Sequence, residues 1–108
     1  MKHELNQNGQ LTLIFEEDIL STNVDRLKDQ IDKIMELPPI KSGGIQKILF
    51  DMKSVKMVDS MGLNLLVNLV KSEKNKNHSI AALVTSLHLH RTLLFTRMDK
   101  QMDITLIQ

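Results

Sequence analysis

The sequence has no cysteine, tryptophan or tyrosine, and three phenylalanines are its only aromatic residues. Without cysteine there are no disulfides, thiolate metal sites or cysteine nucleophiles, and the chain suits a reducing compartment. Without aromatic platforms, base stacking has little to work with. The formal charge is only +1 and no basic block is present, so nucleic acid is a poor partner. The N-terminal stretch MKHELNQNGQ lacks an apolar core of the secretory type. No apolar run approaches the roughly 20 residues of a membrane span, which excludes membrane insertion by that route. A cytoplasmic location is therefore expected. What remains is 42% hydrophobic and 25% charged over 108 residues, the composition of one folded domain spanning residues 1–108. Its core must be aliphatic and filled with methionine.

Residues 3–8 are mostly polar and can form at most a weak edge strand, with Asn8-Gly9 as a hairpin turn signal. Leu11, Leu13 and Phe15 then alternate with Thr12 and Ile14, the period of a strand. Ser21 or Thr22 can cap the following helix, and Thr22 with Asp25 three residues later fits a capping box. Val24, Leu27, Ile31 and Met35 form that helix's apolar stripe, and Pro38-Pro39 stops it. Residues 37–45 read as a loop. Ile48-Leu49-Phe50 is a short unbroken apolar block, the mark of a strand buried on both faces. From Ser60 onward, Leu63, Leu66, Val67 and Val70 fall at i, i+3, i+4 and i+7, one face of a helix. A polar exit over residues 71–78 leads to an interior strand, Ile80 to Val84. Ser86 can cap a helix carrying Leu87, Leu89, Leu93, Leu94 and Phe95, and Ile104 to Ile107 is a last strand. The order β-β-α-β-α-β-α-β implies an α/β fold: a mixed sheet of four to five strands, parallel in its later part, with about three helices as crossovers.

The junction at Ser60 is the focus of the sequence. Free backbone N–H groups at a helix start favour negative charge. A serine there can cap its own helix, and it can also receive a phosphate. An apolar strand, then Asp51, a Lys-Ser-Val link, Val58-Asp59-Ser60-Met61-Gly62-Leu63 and an apolar helix resemble the STAS domain, named for sulphate transporters and anti-sigma factor antagonists. The resemblance runs over roughly residues 10–107, and Asp59-Ser60-Met61-Gly62-Leu63 is its most specific piece. It implies a STAS-like sheet and a binding module switched by phosphorylation of Ser60. The implied partners are an anti-sigma factor that is also a GHKL-type serine kinase and a PP2C-type phosphatase that resets the switch. A second copy of the chain, as a homodimer, is a further candidate. Many members carry Gly-Glu-Leu-Asp where this chain has Asp18-Ile19-Leu20-Ser21. Met61 stands where a small residue is usual, and Arg97 falls about where the third helix commonly ends in glycine. The closing helix that follows the last strand in most members is not seen before Gln108.

Spacing adds a surface to this motif. Ser60, Asn64 and Asn68 lie at i, i+4 and i+8 and form one polar ridge, with Met61 and Leu65 on the next. Met57 lies in the preceding link, and exposed methionines suit a surface that must fit a partner. The residues expected to meet a partner are Ser21, Met57, Asp59, Ser60, Met61, Gly62, Asn64 and Leu65. Plainer roles stand beside these. Ser60 and Asp59 can be caps, Gly62 can permit close helix packing, and Asn64 and Asn68 can be a solvated seam. His88 and His90, two apart on a helix, point away from each other and make no metal pair. A serine hydrolase needs a histidine base and an oriented carboxylate. No histidine lies near Ser60 in sequence, and the Gly-x-Ser-x-Gly elbow is missing. The non-enzymatic alternative to a switch is a constitutive STAS-type interaction subunit of a transport or scaffold complex, with Ser60 as a cap only. No cofactor is expected.

Overall fold

The computed structural model describes residues 1–108. Five strands form one sheet in the order of the chain: β1 (Lys2–Leu5), β2 (Gln10–Ile14), β3 (Lys47–Met52), β4 (Ser79–Val84) and β5 (Asp103–Leu106). β1 runs antiparallel to β2, and every later pair is parallel. The helices are α1 (Val24–Met35), α2 (Pro38–Lys41), α3 (Ser60–Asn75) and α4 (Leu87–Phe95). The opening hairpin turns through Gln7-Asn8-Gly9. Asn6 Oδ1 accepts the Asn8 and Gln10 N–H groups, and Gly9 takes the left-handed conformation at φ +79°.

Register explains where the core sits. Leu13, Phe50, Ala82 and Ile104 are paired in line across four strands, and so are Leu11, Ile48 and Ile80. Leu11, Leu13, Ile48, Phe50, Ile80 and Ala82 are buried, while their alternates Thr12, Leu49 and Ala81 are only half-buried. The apolar block Ile48-Leu49-Phe50 is thus not buried on both faces, as the sequence suggests. Strands that neighbour each other in both chain and sheet, joined by right-handed crossovers, return their helices to the same side. Phe15 and Phe50 meet edge-to-face under that layer, with centroids 6.0 Å apart.

On α3 the buried line is Gly62, Leu66 and Val70, with Leu63 and Val67 half-buried beside it. The line ends in Glu73, the one charged residue of the interior, 1% exposed. The Lys76 ammonium is 3.1 Å from its Oε2, but neither carboxylate oxygen has an aligned hydrogen-bond donor. In α4 only Leu89 and Leu93, at i and i+4, point inward, and Leu87, Leu94 and Phe95 stay exposed. α1 ends before Pro38-Pro39 as expected, but residues 37–45 are not all loop: the prolines open the short helix α2, because proline lacks the N–H that a first helical turn leaves unpaired.

Candidate functional site

Two crossing segments build the site, residues 15–23 after β2 and 53–59 after β3. Ile19 is fully buried and makes a parallel bridge with Val58. Its N–H donates to the Met57 carbonyl at 3.2 Å, and its own carbonyl accepts from the Asp59 N–H at 3.3 Å. A carboxylate from each segment reinforces the crossing. Asp18 Oδ1 accepts the N–H groups of Lys56 and Met57 at 2.7 and 3.2 Å. Asp59 Oδ2 accepts the Ser21 N–H at 2.7 Å, and its Oδ1 accepts the Gly62 N–H at 2.9 Å.

Asp59 is therefore the N-cap of α3, and Ser60 is the first helical residue. The expectation that Ser60 caps its own helix is corrected on this point. A cap needs extended backbone ahead of the first turn, and Asp59 has it at φ −85° and ψ −174°. The hydrogen bonds from the Gly62 and Ser21 N–H groups hold the Asp59 carboxyl below the usual aspartate range, with burial opposing them. Ser60 is exposed. With the cap supplied by its neighbour, its hydroxyl is left uncommitted.

Gly62 sits where α3 touches this crossing. A Cβ there would overlap the Ile19 carbonyl oxygen and lie 2.7 Å from the Ile19 carbonyl carbon. Only glycine allows the helix to approach so closely.

Ser21 and Thr22 do not cap α1, and Thr22 and Asp25 form no capping box. Both serine and threonine lie in the turn before it, and Asn23 takes the N-cap position without making a cap bond. The Asn23 side chain instead ties the segment to itself. It accepts from the Leu20 N–H at 2.9 Å and donates to the Asp18 carbonyl at 2.7 Å. Asp18 is thus a structural brace rather than a solvated turn residue. The sequence signal for it was an apolar pair, Ile19-Leu20, set between polar residues.

The remaining expected contact residues fall on two sides of Ser60. Met61, Asn64 and Leu65, with Asn68, line a groove of about 300 Å³ against Val24 and Ile31 of α1. Met57 faces the other way, into a cleft with Lys53, Lys56 and His88. Of the seven methionines, Met52, Met98 and Met102 are buried and Met1 and Met35 half-buried. The two left exposed, Met57 and Met61 at 54% and 52%, are those that flank Ser60. No three His, Asp or Glu side chains are grouped to hold a metal ion.

The geometry defines a class: a small α/β module that shows a free serine at the head of the helix leaving its central strand. The family model for the STAS domain matches residues 4–106, and this chain belongs to that family. Two solved structures share the fold. One is a candidate anti-sigma factor antagonist from Thermotoga maritima, 19% identical, with a TM-score of 0.80 over 95% of this chain and 83% of that one. The other is the anti-sigma factor antagonist SpoIIAA in its unphosphorylated form, 12% identical, with a TM-score of 0.68 over 99% of this chain and 88% of that one. Comparison with curated protein sequences returns no match.

Proposed function

We propose that this chain is an anti-sigma factor antagonist whose unmodified form captures a GHKL-type serine kinase, and that phosphorylation of Ser60 releases that partner. A PP2C-type phosphatase restores the binding form. The observation that carries this reading is the exposed Ser60 hydroxyl beside a cap that Asp59 already fills. A phosphate here adds about −1.5 to −2 charges. At a helix N-terminus it is favourable within the domain by roughly 0.3–1 kcal/mol, so the fold tolerates it. Its cost falls on the interface. A 100-fold loss of affinity requires about 2.8 kcal/mol, which an uncompensated, desolvated phosphate beside the Asp59 carboxylate can supply.

In this reading the docking surface is Met57, Met61 and the Asn64–Leu65 wall of the α1–α3 groove, with Asp59, Gly62 and Ser21 holding it in place. Incubation with ATP and the cognate kinase should add one phosphate to the wild type and none to Ser60→Ala, read by intact mass. Ser60→Asp should lose capture of the kinase and Ser60→Ala should keep it. Equal capture by both variants would leave a constitutive interaction subunit as the better account.

A further inference from the structure

A second surface begins at Met57 and runs along α4. The cleft that holds Met57 is lined by Lys53, Lys56 and His88, and His88 also opens the next depression, which continues past Arg91 to Phe95. The two depressions adjoin at His88, which lines both, and together make a shallow trough. No Asp or Glu lines either part. α4 itself, LHLHRTLLF, has no acidic residue. From His88 to Phe95 the helix rises roughly 10 Å, about the reach of three extended residues.

The cationic side of this trough is fixed in place. The Lys53 carbonyl accepts from Thr85 Oγ1 at 2.8 Å, and the Lys56 carbonyl accepts from Ser86 Oγ at 3.1 Å. The Lys56 N–H is held by Asp18. The backbone carrying both lysines is thus pinned from two directions, while their ammonium groups reach solvent. Lys53 has a loose pair with Asp51 at 3.7 Å, and neither Lys56 nor Arg91 is within 4.0 Å of a carboxylate. Apolar anchors stand at both ends, Met57 at 54% and Phe95 at 91% exposure.

We propose that this trough receives an acidic, extended segment of the captured protein, with apolar side chains placed to meet Met57 and Phe95. The proposal rests on the capture reading and names the chemistry of the partner on that side of Ser60. Exposed cations carried on a pinned backbone, two of them without a carboxylate partner, speed and orient the encounter with an acidic segment, and the effect weakens with salt. An anionic membrane is the competing occupant of a cationic surface with an exposed aromatic residue.

Two measurements test it. In the first, a short Glu-rich synthetic peptide with a Leu near each end is titrated into the ¹⁵N-labelled chain at low salt, with the Lys-rich counterpart as control. The Glu-rich peptide should shift the amides of Lys53, Lys56, Met57, His88 and Arg91, and the control should not. In the second, K53E/K56E/R91E is compared with wild type for capture of the kinase. The triple variant should bind at least about tenfold more weakly at low salt and lose most of the salt dependence, while its thermal unfolding stays like wild type. Silence of these amides toward both peptides, or unchanged capture, would overturn the proposal. So would sedimentation of the wild type, but not the triple variant, with phosphatidylserine vesicles. The two readings fail separately: Ser60→Asp that still captures removes the switch and leaves the trough, and the reverse result removes the trough alone.

Discussion

Replacing Gly62 with alanine sets two local rules against each other. By helix propensity alone, alanine inside α3 should stabilise by about 1 kcal/mol. The structure predicts the opposite sign. The new methyl would meet the Ile19 carbonyl group, which is backbone and already bridged to the next segment. Relief requires α3 to move away from residues 18–21. Such overpacking costs roughly 1–3 kcal/mol. The movement also loosens the two backbone bonds of the crossing, Ile19 N–H to Met57 and Asp59 N–H to Ile19. At about 0.5–1.5 kcal/mol each, these add a further 1–3. Set against the propensity gain, the net loss is about 1–5 kcal/mol, or roughly 5–25 °C in melting temperature for a domain of this size. Urea and thermal unfolding followed by circular dichroism measure it directly. A Gly62→Ala protein as stable as wild type, or more so, would refute the claim that close contact with Ile19 dictates glycine here.

Asp59→Asn should destabilise the fold at neutral pH, because one of the two acceptor oxygens becomes an amide donor facing an N–H group. Since the folded-state pKa of Asp59 is lowered, its stabilising contribution is full above the unfolded value of about 3.9 and is lost as pH falls through the folded value. The deficit of the variant, read as a urea midpoint, should therefore shrink below about pH 4. Arg97 sits in the left-handed region at φ +62° without being glycine or asparagine. Arg97→Gly should raise stability by about 0.5–1 kcal/mol, seen as a rise of a few degrees in melting temperature. At the buried end of α3, Glu73→Met should be neutral or stabilising by up to about 2 kcal/mol in urea unfolding. Lys76→Met, which leaves the carboxylate only the His78 imidazole at 3.6 Å, should destabilise by about 1–2 kcal/mol in the same assay, a figure held down by the half-exposed lysine.

The alternation of strands and helices was legible because period 2 in Leu11–Phe15 and period 3.6 after Ser60 are set by which side chains must reach the core. The same periodicity could not say that Leu49 is half open. An apolar run looks alike whether helices cover one face of a sheet or both, and the strand order that decides this is non-local. Caps were misplaced by one residue at two helices. Asp59 and Ser60, or Thr22 and Asn23, are all competent cap residues; at α3 the choice goes with the distant Ser21 N–H that Asp59 also accepts, and at α1 with the local bonds of Asn23 to residues 17–20. Asp18 was hidden because its partners are distant in the chain: the N–H groups of Lys56 and Met57 that donate to it lie 38 and 39 residues away. Arg97 is the converse case. The resemblance marks its position as one where glycine is usual, and the positive φ supplies the physical cause.

The one-residue offset between the cap and the proposed phospho-acceptor bears on how such a switch can work at all. Were the serine oxygen itself the cap, modifying it would disturb a bond worth about 1 kcal/mol of helix stability, and the signal would be entangled with folding. Here Asp59 holds the helix start through charge-assisted bonds to two N–H groups, and Gly62 against Ile19 prevents the helix end from sliding. A phosphate on Ser60 therefore has no internal element to displace. Its charge and volume are expressed outward, between an asparagine-walled groove on one side and a cationic trough on the other. A partner that spans Met57 and Met61 must cross this point to use both, so a single modification can weaken contacts on either side without altering the fold beneath.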